Sequence, residues 1–272
     1  MNLAMKACDI RKAVLQLVHA AGTGHIGGDL SVTDILVDLY YKQMNVQPDQ
    51  MDNPDRDRFI LSKGHSVEAL YCILADRGFF PREELQTYSQ FGSKYIGHPN
   101  NKINGIEMNT GSLGHGLSVG VGMALAARMD QRSYRVYAVM GDGEMAEGSV
   151  WEAVMAGGHY RLDNLTAFVD RNRLQISGTT EEVMSQEAQE NRWASFGWNV
   201  LSIPGNDIEA IDHAVELAKH TKGKPTVIIA NTTKGCGISF MENQAGWHHR
   251  VPDADEFAAG IRELDMRRAQ YE

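Results

Sequence analysis

Asp142 is the carboxylate held between two glycines in Gly141-Asp142-Gly143, and Asn172 follows thirty positions later. Each stands at the end of an apolar run, Val136 to Met140 before the first and Leu165 to Val169 before the second. Such runs read as strands buried on both faces. Laid parallel, their carboxyl ends bring one carboxylate and one amide oxygen to the same sheet edge, where open α/β sheets bind ligands. The flanking glycines let the backbone turn sharply and approach something anionic. Two such oxygens are too few to hold a metal alone. They suit Mg²⁺, which keeps waters and is completed by phosphate oxygens. Gly-Asp-Gly by itself is a common turn tripeptide; the run of strand, turn, helix, strand and Asn gives the pair its meaning.

Ten histidines offer a second kind of chemistry. His19, His159, His213 and His220 fall in helical segments and read as surface or core-edge residues. His25, His65, His98, His115, His248 and His249 fall in segments read as loops, most of them beside Gly or Trp, and loops on a rigid scaffold concentrate function. No pair has metal-ligand spacing, and there is neither an HExxH nor a Cys/His cluster. A GxSxG elbow, a Cys/His nucleophile pair and a G-x-x-x-x-G-K-[ST] loop are all missing. GVGMALA is not a dinucleotide fingerprint, since it follows a loop-rich stretch and not a strand. Imidazoles grouped around a bound anion suit proton transfers to hydroxyls and carbonyls near neutral pH.

The elements that must position these residues alternate along the chain. Leu3, Ala7, Ile10, Val14, Leu17, Val18 and Ala21 predict a first amphipathic helix ending at Gly22. A glycine-rich loop, GTGHIGGDLS, follows, with Ser31 and Asp34 read as a capping box opening a second helix. Phe59 to Leu61 reads as a short buried strand, Ser66 to Asp76 as a helix closed by Gly78, and PREELQTY as a short helix. Residues 91 to 110 look irregular, and a loop that long is usually functional. The segment after it becomes helical, with Gly116, Gly120 and Ala124 making one flat face for another helix, a ligand or a second protein chain. Gln186 to Ser195 reads as helix and Trp198 to Ile203 as strand. Asn206 is read as the cap of a helix over Ile208 to His220. Thr226 to Ala230 is a further strand, and a last helix runs from about Asp255 to Arg268. The expectation is one doubly wound α/β domain over residues 1–272, mainly parallel, with helices on both faces and a C-terminal helical tail.

Composition bounds the partners. With 43% hydrophobic residues the chain can bury a large core, and its net charge of −9 argues against nucleic acid held on a basic surface. The charged N-terminus has no signal-peptide pattern, and no segment is long enough to span a bilayer. Cys8, Cys72 and Cys236 are far apart and odd in number, which suggests free thiols and a cytoplasmic location.

Gly-Asp-Gly followed by Asn resembles the signature of thiamine-diphosphate enzymes. GTGHIGGDLS, DRFILSKGH, GHP, TGSLGHG, GDGEMAEGSVWEA, DRNRLQISG and TTKGCGISFMENQAGWHHR occur in the order found in transketolases. The resemblance covers nearly the whole chain, but matches only the diphosphate-binding half of a transketolase. It implies the N-terminal subunit of a split enzyme that transfers a two-carbon glycolaldehyde unit from a ketose, a sugar phosphate or a similar anionic sugar, to an aldose. The partner it implies carries the pyrimidine-binding and C-terminal domains, in an α2β2 assembly. Asp142, Asn172 and the Leu174 carbonyl would bind Mg²⁺. His65, Gly111, Leu113, Gly143, Glu147 and His248 would join them around thiamine diphosphate, and His25, His98 and His248 would handle sugar protons. Glu147 and Glu152 match acidic positions at a subunit contact; read without the family, they are an exposed acidic first turn favoured by the helix dipole. Ser112 stands where many members have Pro, and His115 where Gln is common. Two other readings stay open. One is the α subunit of a 2-oxo acid dehydrogenase, against which the loop histidines count. The other is a non-catalytic diphosphate-binding module regulating a partner, against which the intact metal positions count.

Overall fold

A computed structural model describes residues 1–272. The helices are α1 (Leu3–Ala21), α2 (Ile26–Asp38), α3 (Val67–Asp76), α4 (Gly116–Met129), α5 (Gly148–His159), α6 (Thr180–Met184), α7 (Gln189–Ser195), α8 (Ile208–His220) and α9 (Ala254–Ala269). The strands are β1 (Arg58–Leu61), β2 (Val136–Gly141), β3 (Leu165–Arg171), β4 (Leu174–Gln175), β5 (Gly178–Thr179), β6 (Asn199–Pro204) and β7 (Thr226–Asn231). Five strands form one sheet in the order β1-β2-β3-β7-β6, every pair parallel. The short β4–β5 hairpin is antiparallel and stands apart. The expected doubly wound sheet is therefore present, and every carboxyl end lies on one edge.

Strand alternation divides the core. Phe59, Leu61, Tyr137, Val139, Phe168, Ile228 and Ala230 face α1, α2, α3 and α8 in a cluster of 44 buried residues. Ile60, Val136, Ala138, Met140, Leu165, Ala167, Val169, Val227 and Ile229 face α4, α5 and the tryptophans Trp193 and Trp198 in a cluster of 21. Each fully buried aliphatic or aromatic side chain contributes about 1.5–3 kcal/mol of transfer free energy. Both faces of the sheet are closed to water over β1, β2, β3 and β7, while the edge strand β6 stays partly exposed.

Several local expectations change. Helix α2 begins at Ile26, inside the glycine-rich stretch, because Ile26 and Leu30 are wholly buried. Ser31 and Asp34 thus sit within the helix and cap nothing. The Ser31 hydroxyl reaches the Gly28 carbonyl (3.0 Å) and Asp170 (2.6 Å), while Asp34 is paired with Arg11. Asp207, not Asn206, caps α8, accepting from the backbone N–H groups of Glu209 and Ala210. Asn206 instead donates to Asp34 (2.8 Å) and accepts from the Thr233 amide (2.8 Å). Helix α7 starts three residues later than expected, at Gln189. The flat face of α4 packs on the chain's own sheet: a methyl on Gly120 would touch Leu165 and Val136 at 3.6 Å, and Gly116 lies against Ser62. It is buried and offers a partner nothing. The helix over Arg82–Thr87 is 3-10.

Candidate active site

The carboxyl ends of β1, β2, β3 and β7 lead into Lys63-Gly64-His65, Asp142, Asn172 and Lys234 respectively. They open into a cavity of about 490 Å³, within the size range of small-molecule sites. Its lining includes His25, His65, His98, His248 and His249, residues spread over most of the chain. A cavity of about 540 Å³ beside α1 and the 3-10 helix is lined by Ala and Leu side chains mixed with Gln, Arg and Glu, and holds no histidine or lysine.

Asp142 and Asn172 are nearly buried, at 3% and 7% exposure. Asp142 accepts from the Gly143 amide (2.9 Å) and the Arg173 amide (2.5 Å), the latter presented by a left-handed Arg173 with φ 64°. Asn172 Oδ1 accepts from the Leu174 amide (3.1 Å), and its Nδ2 donates to Ser31 (3.3 Å). The Leu174 carbonyl accepts from Lys234 Nζ (3.3 Å). Burial pushes the Asp142 carboxyl up to about 6, with the Asp170 charge adding to it. A buried carboxylate with that penalty is matched by a cation, and the donors here are one carboxylate, one amide oxygen and one carbonyl, all hard oxygen ligands of the kind Mg²⁺ takes. The residues fit that ion. Neither Gly141 nor Gly143 takes the positive φ that a sharp glycine turn implies; a side chain at Gly143 would meet Gln175 at 2.9 Å.

The imidazoles centre on His25, whose ring centroid lies 4.5 Å from His249, 5.5 Å from His65, 5.7 Å from His248 and 6.0 Å from His98. Burial holds His65 well below the usual histidine range, with Lys63 and His248 adding to the effect. Burial, then Lys234, takes His248 down to about 3. His98 and His249 are also lowered, first by burial and then by His25. Lys234 falls to about 8 through burial and the nearby Lys63 charge. It has no carboxylate partner; its Nζ donates to His248 Nδ1 at 2.9 Å. Five imidazoles and two lysines thus share the cavity with the carboxyls of Asp142, Glu144 and Glu147. An anion entering beside Lys234 and the imidazoles would favour their charged forms.

His25, His248 and His249 also bring ligating nitrogens within 4.8 Å of one another, a grouping that sequence spacing did not reveal. The Lys234 ammonium on His248 opposes a cation there. His115 is exposed at the start of α4, outside the cavity, and Ser112 is exposed as well. Gly111 and Leu113 line the cavity, and Gly111 lies against the His98 ring. Glu147 is exposed at the rim, and Glu152 is exposed on α5.

Sequence reasoning passed over four supports. Glu144, 2% exposed, accepts from the Gly114 amide (2.8 Å), the Gly141 amide (3.1 Å) and the Ser62 hydroxyl, tying three loops together. Lys63 is buried against Asp170 (2.5 Å) and the Gly28 carbonyl (3.1 Å). Lys234 and Glu68 are the others. The two lysines lie beside glycines, inside the DRFILSKGH and TTKGCG stretches, and that placement was the available signal.

Comparison with known proteins follows the same lines. The family profile described as "Transketolase, thiamine diphosphate binding domain" matches residues 4–271. The chain is 53% identical to one subunit of the apulose-4-phosphate transketolase of Phocaeicola vulgatus, covering 94% of this chain and 92% of that one. It is 43% identical to 6-deoxy-6-sulfo-D-fructose transketolase subunit SqwG of a Clostridium species, covering 98% of each. Among solved structures, transketolase from Pichia stipitis in complex with sedoheptulose 7-phosphate superposes with a TM-score of 0.89 at 31% identity, over all of this chain and 44% of that one. The Leishmania mexicana transketolase gives 0.87 at 27% identity, over 46% of its length. The chain thus spans less than half of each of these two solved enzymes.

Proposed function

This chain belongs to the transketolase thiamine diphosphate-binding domain family, and on that footing we propose that it is the N-terminal subunit of a two-chain transketolase, residues 1–272 acting as a single diphosphate-binding domain. The observation that carries the reading is the convergence of five imidazoles and two lysines on the Asp142, Asn172 and Leu174 oxygens in one cavity.

When bound, thiamine diphosphate supplies the carbanion and electron sink that transfer of a two-carbon glycolaldehyde unit from ketose to aldose needs. The Asp142 carboxylate, the Asn172 amide oxygen and the Leu174 carbonyl would hold Mg²⁺, leaving the diphosphate to complete its shell. His65 and Lys234 offer N–H donors to the diphosphate, Gly143 lines the cavity beside them, and Gly111 and Leu113 wall the ring. Glu147 borders the same cavity and, with Glu152, is exposed for contact with a second protein chain. His25, His98 and His248 face the sugar. His248 accepts a hydrogen bond from Lys234 at Nδ1, so its own hydrogen stands on Nε2, ready to be given to a sugar oxygen. Burial lowers His98 and His248 and so keeps those two rings neutral, able to hydrogen-bond sugar oxygens without carrying a charge.

Relatives named as single subunits of transketolases, matched over almost their full length, support a partner of different sequence, and closed two-fold assembly makes α2β2 the arrangement to expect. The three cysteines are free and buried, which suits the cytoplasm; no helix is long and apolar enough to cross a membrane. The donor is proposed to be a ketose with a distal anionic group, and the 53% identity makes apulose 4-phosphate the first to assay. The test is glycolaldehyde transfer by this chain with and without a co-expressed partner carrying pyrimidine-binding and C-terminal domains, run beside a 2-oxo acid decarboxylation assay. Transfer is expected only with both chains present. Turnover by the pure chain would remove the second chain from the reading, and decarboxylation without transfer would overturn the reaction class.

A further inference from the structure

Beneath the His25 ring lies a pair of carboxylates that the chemistry above does not use. Asp29 on α2 and Glu68 on α3 are both wholly buried. Asp29 Oδ1 accepts from the Ala69 amide (2.9 Å). Glu68 Oε1 accepts from the Tyr88 hydroxyl (2.6 Å) and from the His25 backbone amide (3.1 Å), and it stands 3.8 Å from His25 Nδ1. That ring nitrogen is buried and has no hydrogen-bond partner. Two neighbouring carboxyls shut away from water do not both ionise. Burial, and then the Glu68 charge, hold Asp29 well above the usual carboxylate range. Asp29 is thereby biased toward its protonated form, while Glu68 accepts from two donors, the Tyr88 hydroxyl and the His25 amide. The same charge pushes His98 and His249 up against the burial that lowers them.

A carboxylate beside an imidazole draws the ring hydrogen to the nitrogen facing it and frees the other. We infer that Glu68, supported by Asp29 and Tyr88, is a positioning residue that holds His25 with its Nδ1–H toward the carboxylate, leaving Nε2 bare to take a proton from a sugar hydroxyl. The inference rests on the sugar-facing role proposed for His25. In that step the O–H bond breaks, its electron pair stays on oxygen, and the proton forms an N–H bond at Nε2. The positive imidazolium that results has the Glu68 carboxyl behind it, 3.8 Å from Nδ1.

The test uses the two-chain enzyme with ¹⁵N-labelled histidine in this chain, the His25 signals being identified by their loss in His25→Asn. Glu68→Met removes the acceptor; it should shift His25 away from the Nδ1–H tautomer and lower kcat about 10- to 100-fold, with cofactor affinity within about threefold. Glu68→Gln keeps an acceptor without the charge, so it should retain the tautomer, lower the pH at which His25 titrates and lose less turnover than Glu68→Met. Tyr88→Phe removes one donor to Glu68 without touching His25 and should lower kcat by a smaller factor. It also guards against a misfolded Met variant. An unchanged tautomer in Glu68→Met overturns the inference, as does a loss of cofactor affinity in step with kcat across the series. Wild-type turnover by His25→Ala would instead sink the role of His25 itself, whatever the spectra show of Glu68.

Discussion

The two faces of the sheet are built on different principles. The face packed by α1, α2 and α3 buries Arg11 with Asp34, Lys63 with Asp170, and the carboxyls Asp29, Asp38 and Glu68 among its aliphatic side chains. The face packed by α4 and α5 is closed by Leu117, Val121, Val150, Val154 and two tryptophans, with scarcely a charge. Both reach the same cavity but contribute differently. From the charged face come side chains: His25 at the start of α2, His65 before α3, Lys63 after β1. From the apolar face come backbone and short loops, the Gly111–Gly114 stretch and the turn carrying Asp142, latched by Glu144. On the proposed function, the side chains that would move protons are aimed by buried counter-charges, whereas the metal–diphosphate cradle would rest on close backbone with an apolar backing.

Removing the metal ligand from the apolar side breaks this division most severely. Asp142→Ala deletes the only charged ligand proposed for Mg²⁺ and should abolish Mg²⁺-dependent cofactor binding, measured by calorimetry with the partner chain present. Retained affinity would take the cradle away from that face. His98→Ala should lower kcat by about 10²- to 10⁴-fold while changing cofactor affinity far less. Steady-state kinetics on every competent ketose would check it, and turnover within twofold of wild type would remove His98 from proton handling.

Stability sharpens the contrast. Arg11→Met leaves Asp34 buried and uncompensated and should cost about 3–5 kcal/mol. The pair Arg11→Met with Asp34→Leu should recover most of that loss. Leu117→Ala on the apolar face should cost about 2–4 kcal/mol with no such rescue available. Denaturant melts decide: a double variant no better than Arg11→Met would mean shape, not charge, holds that contact. The smallest effect belongs to Asp38, whose carboxyl oxygens have no partner and which burial, then Asp212, pushes up to about 7. The folded chain holds that proton more tightly than the unfolded chain, so stability falls as pH rises from about 4 toward about 7. Asp38→Asn should be more stable than the parent by about 1–2 kcal/mol at pH 8, the gain shrinking as pH is lowered to 5. A constant difference across that range would assign the effect to packing.

Legibility in the sequence followed the same boundary. The strands were readable because runs such as Val136 to Met140 are apolar on both sides, and their parallel pairing placed Asp142 and Asn172 at one edge. The loop histidines stood out one by one, but their meeting did not, because His25 and His248 lie at opposite ends of the chain. Glu68, Lys63 and Lys234 were hidden for another reason. A charged residue in a short segment reads as solvated until tertiary packing buries it. Ser31 and Asp34 show the local version: their spacing mimics a cap, and only Arg11 and Asp170 divert them from that use. The small-residue face of α4 was visible as a flat surface, yet nothing along the chain said that the sheet would lie against it.

Helix α2 has no exposed residue, and this bears on how the site can be lost. A helix enclosed on every side cannot fray, so its amide hydrogens should exchange with solvent only when the whole molecule opens. His25, half-buried at its N-cap, is anchored to this helix on one side. The backbone that carries this ring is thereby tied to the part of the fold that opens last. Damage far from the cavity will change the fraction of molecules that have a site, and leave each surviving site intact.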